Sequence, residues 1–184
     1  MAVGKTTLAK KLENQLSDVY VTYENPYPII KLREIKHLDI NTKEGFIENQ
    51  RLFIEAEMNR FNNLPDGKII YDRGPEDIEF YTLYYPIANG YDWDIEAALK
   101  EEISELRKLR SDIILYLDAN EETLHKRKQN DLIRKRNSFN QNIKLYKYEK
   151  EWYKKFNTIF VDVNHKTPEQ LEKWALMTLP ELMI

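Results

Sequence analysis

The sequence contains no cysteine and only three histidines among its 184 residues. The absence of cysteine excludes disulfide scaffolds, thiol nucleophiles and Cys-ligated zinc, and the wide separation of the histidines argues against a histidine metal site. Apolar runs are also short: the run at residues 113–117 is far below the ~20 residues that a membrane helix needs. Because no basic-then-apolar leader opens the chain, we expect a soluble, cytoplasmic protein with no membrane partner.

An excess of charge of either sign is missing too. The chain has 28 Lys and Arg against 31 Asp and Glu, a formal net charge of −3. This balance does not favour binding to a polyanion, so we expect no nucleic-acid partner. The length is that of one domain, and 42% hydrophobic residues suffice for a packed core. We therefore predict a single domain over residues 1–184.

Short β-branched or aromatic segments alternate with longer helical segments along the chain. We predict four strands, at Val19–Tyr23, Lys68–Asp72, 112–117 and 158–163. Apolar residues recur at helical spacing between them, at positions 8, 12 and 16, at 47, 54, 58 and 61, and at 95, 99, 103 and 106. The alternation predicts an α/β fold with parallel strands, in which ligands bind at the carboxyl ends of the strands.

The first residues carry the end of a P-loop, Gly4-Lys5-Thr6-Thr7, followed directly by a predicted helix. In a P-loop, backbone N–H groups and the helix N-terminus surround phosphate oxygens. We predict that Lys5 contacts the outer phosphates of ATP and that Thr6 binds Mg²⁺. The first glycine of the motif, and the strand that feeds the loop, would precede Met1. We expect that strand between the ones ending at Asp72 and Asp118.

Acidic residues lie at the ends of two of the predicted strands. Asp72 ends Lys68–Asp72 and is a candidate ligand for Mg²⁺, while Arg73 is placed to hold the phosphoryl-accepting end of a substrate. Glu24 follows Val19–Tyr23 and is a candidate base for a substrate hydroxyl. A surface ion pair for Asp72 and Arg73, or a turn cap for Glu24, is the structural alternative.

Two further groups of residues suggest substrate contacts. Gln50 shares a predicted helix face with Phe46 and Phe53, which suits an amide pairing with a nucleobase edge beside an aromatic ring, although a half-buried Gln beside core Phe fits the pattern as well. A basic run could close over the transferring phosphates, or form a solvated helix face or a nucleic-acid patch; it comprises Lys126, Arg127, Lys128, Arg134, Lys135 and Arg136.

Taken in order, these residues resemble the P-loop nucleoside and nucleotide kinases, most closely the deoxynucleoside kinase family. Gly4-Lys5-Thr6 matches the P-loop end, and Glu24 with Pro26 is similar to a Glu-Pro strand end that bears the base. Asp72-Arg73 is similar to the family's Glu-Arg-Ser signature, and Gln50 falls where the family has its base-reading glutamine. Arg134 and Arg136 match the Arg-x-Arg lid, and residues 148–152 resemble the helix after the lid. Asn25 between Glu24 and Pro26, and Gly74 in place of a serine, depart from the pattern.

The resemblance implies a P-loop kinase three-layer sandwich, with a central parallel sheet flanked by helices and a lid at about residues 126–139. It also implies ATP- and Mg²⁺-dependent phosphorylation of a nucleoside 5′-hydroxyl, often by a homodimer. The catalytic residues would be Glu24, Arg73, Arg134 and Arg136.

Two other functions stay open. Asp72-Arg73 is also similar to the thymidylate kinase pattern, and a nucleoside monophosphate would need cations such as Arg33, Lys36 and Arg51. The other alternative is a non-catalytic, ATP-binding P-loop module.

Overall fold

The computed structural model describes residues 3–130 and 139–182, without the side chains of residues 139–142 and 180–182. The chain divides into two compact units. The first unit is drawn from Met1–Tyr23, Gly67–Asp72 and Asp112–Ile184, and the second from Glu24–Asp66 and Arg73–Ser111. The single domain expected from the sequence stays a prediction.

The described elements are helices and short strands. In chain order they are α1 (Lys5–Gln15), β1 (Val19–Tyr23), α2 (Tyr27–Ile35), α3 (Lys43–Asn62), β2 (Lys68–Asp72), α4 (Pro75–Asn89), α5 (Ile95–Ala98), α6 (Lys100–Leu106), β3 (Ile114–Asp118), α7 (Glu121–Asn130), α8 (Phe139–Tyr153), β4 (Thr158–Asp162) and α9 (Pro168–Leu182), with a 3₁₀ turn at Arg107–Leu109. Among these residues, no helix is long and apolar enough to cross a membrane.

All four strands lie in the first unit and pair in parallel, β1 with β2 and β3 with β4. The parallel α/β fold that the sequence predicts is therefore confirmed. β3 extends to Asp118, one residue beyond its predicted end at 117, and β4 ends at Asp162, one residue before its predicted end at 163. The last pair in the parallel register of these strands is Asp118 with Asp162. Within residues 3–130 and 139–182, no strand joins β2 to β3. The strand expected between them stays a prediction.

The core of the first unit is built by the helices that pack on these strands. Leu8 and Leu12 of α1, from the predicted stripe, are buried together with Leu117 of β3 and Val161 of β4. α9 adds further apolar residues, and Lys11 of α1 donates a 2.8 Å hydrogen bond to a glutamate of that helix. α1 is thereby fixed against the unit, which sets the position of the loop before it.

The core of the second unit is formed by α3, α4, α5 and α6. The predicted stripe at 95, 99, 103 and 106 is buried, but α5 and α6 interrupt the single helix that it suggests, because Leu99 leaves the helical region with φ −118° and ψ 30°. Glu79 of α4 is 1% exposed and accepts hydrogen bonds from Arg107 at 2.6 Å and Arg110 at 2.7 Å. These ion pairs anchor α4 to the chain that follows α6.

Candidate functional site

The loop that the sequence predicts to bind phosphate ends at Gly4, the residue that caps α1. Gly4 has φ +103°, a left-handed conformation that favours glycine, and α1 has neither a capping side chain nor an acidic residue in its first turn. The N–H groups of the first turn of a helix and the positive end of its dipole together attract an anion. The geometry at Gly4 therefore fits a phosphate group.

A single arginine of α7 connects this loop to the end of β4. Arg127 donates from Nη1 to the Val3 carbonyl at 3.2 Å and from Nη2 to the Val163 carbonyl at 2.5 Å. The planar guanidinium can make both contacts at once because its donors point in fixed directions. Arg127 thereby holds the residue before Gly4 against the carboxyl end of β4.

The carboxylates that end β2 and β3 differ in their surroundings. Asp118 is paired with Lys150 of α8 at 2.5 Å, and Tyr146 donates to the Ala119 carbonyl beside it. Burial, and next the Asp118 charge, raise the pKa of Tyr146 to about 12, so this hydroxyl stays protonated. No cation within the described part of the chain forms an ion pair with Asp72, which is half-buried. Asp72 is therefore the one of the two that is available to a divalent cation.

In the second unit, Glu24 and Arg73 form an ion pair at 2.9 Å although they are 49 positions apart in sequence. The register explains the pairing, since Tyr23 lies opposite Asp72 and the two residues that follow leave their strands side by side. The Glu24 side chain is 19% exposed and that of Arg73 is 40% exposed, so both are accessible to a ligand. The guanidinium fixes the position of the carboxylate.

The backbone of Arg73 is strained and held in place. Its φ of +70° is left-handed, an uncommon conformation for a residue with a side chain. Arg60 of α3 donates to the Arg73 carbonyl at 2.7 Å and to Glu57 at 2.6 Å. Burial raises the pKa of Glu57, while Arg60 opposes that shift. This chain of contacts orients the guanidinium that meets Glu24.

Gln50 is 1% exposed on α3 and lies 3.0 Å from the Thr82 hydroxyl of α4. The Phe46 ring is fully buried and stacks on Tyr85 with a centroid distance of 4.9 Å. Phe53 is half-buried and packs against the same cluster. Gln50 is therefore a fully buried amide beside an aromatic wall, and its contact with a base stays a prediction.

The sequence and the fold were compared with those of known proteins. A family profile described as AAA domain matches residues 2–170. The chain belongs to the AAA domain family. A comparison with curated protein sequences gives no match.

Solved structures of nucleoside and nucleotide kinases have a similar fold. Deoxyadenosine kinase from M. mycoides with the products dCMP and dCDP has a TM-score of 0.76 at 16% identity, covering 99% of this chain and 95% of that one. The same enzyme with dCTP gives 0.65 at 20%, covering 98% and 95%. Thymidylate kinase from Candida albicans gives 0.59 at 21%, covering 99% and 89%. The P-loop kinase fold, similar to that of the deoxynucleoside kinases, is confirmed.

The predicted site residues fall into two sets. The first unit holds Gly4, Lys5, Thr6, Thr7 and Asp72, and the second holds Glu24, Phe46, Gln50, Phe53 and Arg73. Lys5 and Thr6 are half-buried in the first turn of α1, and Thr7 is exposed. Arg134 and Arg136 lie outside the described residues, as does most of the predicted lid. The roles of all these residues stay predictions.

The donor set fits Mg²⁺ only in combination with phosphate. No group of three or more His, Asp or Glu within the described ranges could hold a metal by itself. Mg²⁺ in phosphoryl-transfer sites uses one or two protein oxygens and takes the rest from water and phosphates. The Thr6 hydroxyl and the Asp72 carboxylate are the two protein oxygens that the sequence predicts for this purpose.

Sequence reasoning missed four residues that position the site. Arg60 and Thr82 carried no signal, because each acts on a residue 13 or 32 positions away in sequence. Lys150 was noticed only as part of residues 148–152, and its contact with Asp118, 32 positions away, was not expected. Arg127 was noticed only as one member of a basic run. Its contacts with two main-chain carbonyls have no sequence pattern.

Proposed function

We propose that the protein is an ATP-dependent nucleoside kinase, which transfers the γ-phosphate of MgATP to the 5′-hydroxyl of a nucleoside or deoxynucleoside. The observation that carries the proposal is the ion pair of Glu24 with Arg73 at the carboxyl ends of β1 and β2. A carboxylate held in one orientation and still accessible is what a hydroxyl acceptor needs, because the hydroxyl must lose a proton as it attacks phosphorus.

The donor residues belong to the first unit. The N–H groups around Gly4 and the Lys5 ammonium bind the phosphates of ATP and stabilise the charge that develops on them. Thr6 and Asp72 would hold Mg²⁺, which when bound neutralises charge on the β- and γ-phosphates. Arg127 keeps the loop in position through Val3.

The acceptor residues belong to the second unit. The 5′-oxygen forms the new bond to the γ-phosphorus, its proton passes to Glu24, and ADP leaves with the electrons of the broken bond. Gln50 contacts the base, with Phe46 and Phe53 as the apolar wall beside it. Arg73 holds Glu24, and Arg134 and Arg136 close over the phosphates as the lid that the resemblance implies.

The charge pattern supports a nucleoside over a nucleoside monophosphate. Lys36 lies 3.0 Å from Glu48, and Arg51 lies 3.0 Å from Glu48 and 2.7 Å from Glu102. Two of the three cations that would receive an extra phosphate are thus neutralised by carboxylates. A monophosphate would have to compete with those ion pairs, whereas an uncharged nucleoside would not.

The test is product analysis with ATP, Mg²⁺ and matched panels of nucleosides and nucleoside monophosphates. We expect nucleoside monophosphates and ADP from the nucleoside panel. Diphosphate products would instead indicate the monophosphate kinase, and ATP binding without any product would indicate a non-catalytic module.

Glu24→Gln tests the base directly. The substitution keeps the shape and removes the proton acceptor, so kcat should fall by about 10²–10⁴-fold with little change in the KM for the nucleoside. Glu44→Gln, on the exposed first turn of α3, is the matched control and should leave kcat unchanged. An unchanged kcat in Glu24→Gln would assign the base elsewhere.

A further inference from the structure

Two buried polar side chains in the core of the second unit contact each other. Gln50 of α3 is 1% exposed and Thr82 of α4 is fully buried. As placed, the Thr82 hydroxyl oxygen lies 3.0 Å from Gln50 Oε1, toward which it can donate, and Gln50 Nε2 at the other end has no hydrogen-bond partner within the described residues. A buried polar atom without a partner is costly, which makes this end a site for a ligand group.

The Thr82 hydroxyl has a single proton and two neighbours that could receive it. One is the Ile78 carbonyl at 2.8 Å, four residues earlier in α4, and the other is the Gln50 carboxamide at 3.0 Å. A carbonyl oxygen can only accept, and a helical threonine commonly donates to the carbonyl four residues before it. The proton therefore goes to Ile78, and the Thr82 oxygen presents a lone pair to Gln50.

That lone pair determines the orientation of the Gln50 amide. Only the NH₂ group can donate to it, so Nε2 must be the atom near Thr82. The two ends of a carboxamide have nearly the same shape, so a half-turn about the terminal bond places Nε2 there without moving any other atom. The end left without a partner is then Oε1, which is a hydrogen-bond acceptor.

We propose that Thr82 is a positioning residue for base recognition, because it fixes the Gln50 amide with Oε1 toward the bound base. This inference rests on the proposed function, and it adds the chemical requirement that the base present an N–H to Gln50. Amino groups and protonated ring nitrogens of nucleobases meet that requirement. Without the Thr82 hydroxyl the amide can turn, and half of its orientations offer a donor in place of the acceptor.

Thr82→Val tests the role, since valine keeps the branched shape and removes the hydroxyl. We expect the KM for the nucleoside to rise about tenfold, with kcat within about twofold and the KM for ATP unchanged. Thr82→Ser restores the hydroxyl and should restore the KM for the nucleoside.

Thr178→Val is the matched control, because Thr178 of α9 also donates to the carbonyl four residues before it, at 2.9 Å, and has no glutamine partner. Thr178→Val should leave kcat, the KM for the nucleoside and the KM for ATP as in the wild type. An unchanged nucleoside KM in Thr82→Val, or an equal rise in both KM values, would overturn the proposal.

A double-mutant cycle with Gln50→Leu separates positioning from a general loss of packing. If Thr82 acts through the Gln50 amide, Thr82→Val should have no further effect on nucleoside KM in the Gln50→Leu background. If the two effects multiply, Thr82 acts independently of Gln50 and the inference is wrong.

The amide orientation has its own readout, which does not depend on activity. The side-chain amide resonances of Gln50, assigned by their loss in Gln50→Leu, should include a downfield proton that moves upfield in Thr82→Val and remains downfield in Thr82→Ser. A spectrum that does not respond to Thr82→Val overturns the orientation.

Failure of the proposed function is recognised separately. A wild-type protein that binds nucleosides by calorimetry but phosphorylates none refutes the kinase assignment, and the same variants then test Thr82 through the dissociation constant. A wild-type protein that binds no nucleoside refutes both the kinase assignment and the base-recognition role.

Discussion

Because the backbone of Arg73 is left-handed, we predict that glycine at this position gives a more stable protein than alanine, which is the reverse of the usual order. Arg73 has φ +70°, and Arg60 holds its carbonyl at 2.7 Å, so the backbone cannot relax when the side chain is replaced. We compare Arg73→Gly with Arg73→Ala. Both variants lose the ion pair with Glu24, so the difference between them reports only the backbone conformation.

The magnitude follows from two opposing contributions. A Cβ in the left-handed region costs roughly 1–2 kcal/mol, which alanine retains and glycine avoids. Glycine loses about 0.5–1 kcal/mol more than alanine from the entropy of the unfolded chain. At the midpoints of the two ranges, Arg73→Gly should therefore be more stable than Arg73→Ala by roughly 0.75 kcal/mol. The lost ion pair lowers both by at most about 1 kcal/mol, because the Arg73 side chain is 40% exposed.

The assay is urea unfolding followed by circular dichroism. Glu55 provides the control, because it is exposed within α3, where glycine should be less stable than alanine by about 1 kcal/mol. The order of stability should thus be opposite at the two positions. Phosphoryl transfer should fall equally, on the order of 10²-fold, in both Arg73 variants. An alanine variant as stable as the glycine variant at position 73 would refute the argument.

Three further predictions address the loop, its support and a buried acid. Lys5→Ala should abolish phosphoryl transfer with an unchanged circular dichroism spectrum, because a half-buried lysine in the first turn of α1 contributes charge to the phosphates more than packing. Retained turnover would contradict the P-loop interpretation. Arg127→Ala should raise the KM for ATP about tenfold in ATP titrations. Arg127→Lys should restore only part of the wild-type affinity for ATP, because an ammonium group cannot reach the carbonyls of Val3 and Val163 together as the guanidinium does. Burial raises the pKa of Glu76 despite the Ser111 amide that donates to it at 2.6 Å. A raised pKa in the folded state means that folding is favoured below pH 4.5 and that this advantage is lost as pH rises through the folded-state pKa. The unfolding free energy of the wild type relative to Glu76→Gln should therefore decrease from pH 4.5 upward, and a constant difference would contradict it.

Some elements could not be read from the sequence because their burial is not confined to one face. α4 has buried residues all around, among them Glu79, Phe80 and Thr82, and contains Pro86. The sequence of α4 therefore shows no single apolar stripe. Pro86 suggests that the helix ends there, although α4 continues to Asn89. The stripe at residues 95–106 predicts the right core residues, but the break at Leu99 depends on packing.

The sequence alone determined the features that depend on neighbouring residues. Gly4-Lys5-Thr6 is contiguous, so the loop and the helix that it opens follow from local preference and spacing. The four strands follow in the same way, because β-branched runs bounded by turns need no distant contact to be recognised.

How the site residues are oriented depends on contacts between distant parts of the chain. The ion pair of Glu24 with Arg73 and the contact of Gln50 with Thr82 join residues that are 49 and 32 positions apart. The first depends on the register of two strands, and the second on the packing of α3 against α4. A hydrogen bond requires its two atoms within about 3 Å, and chain separation carries no information about that distance. The residue types therefore suggest the chemistry, while packing selects the atoms that meet.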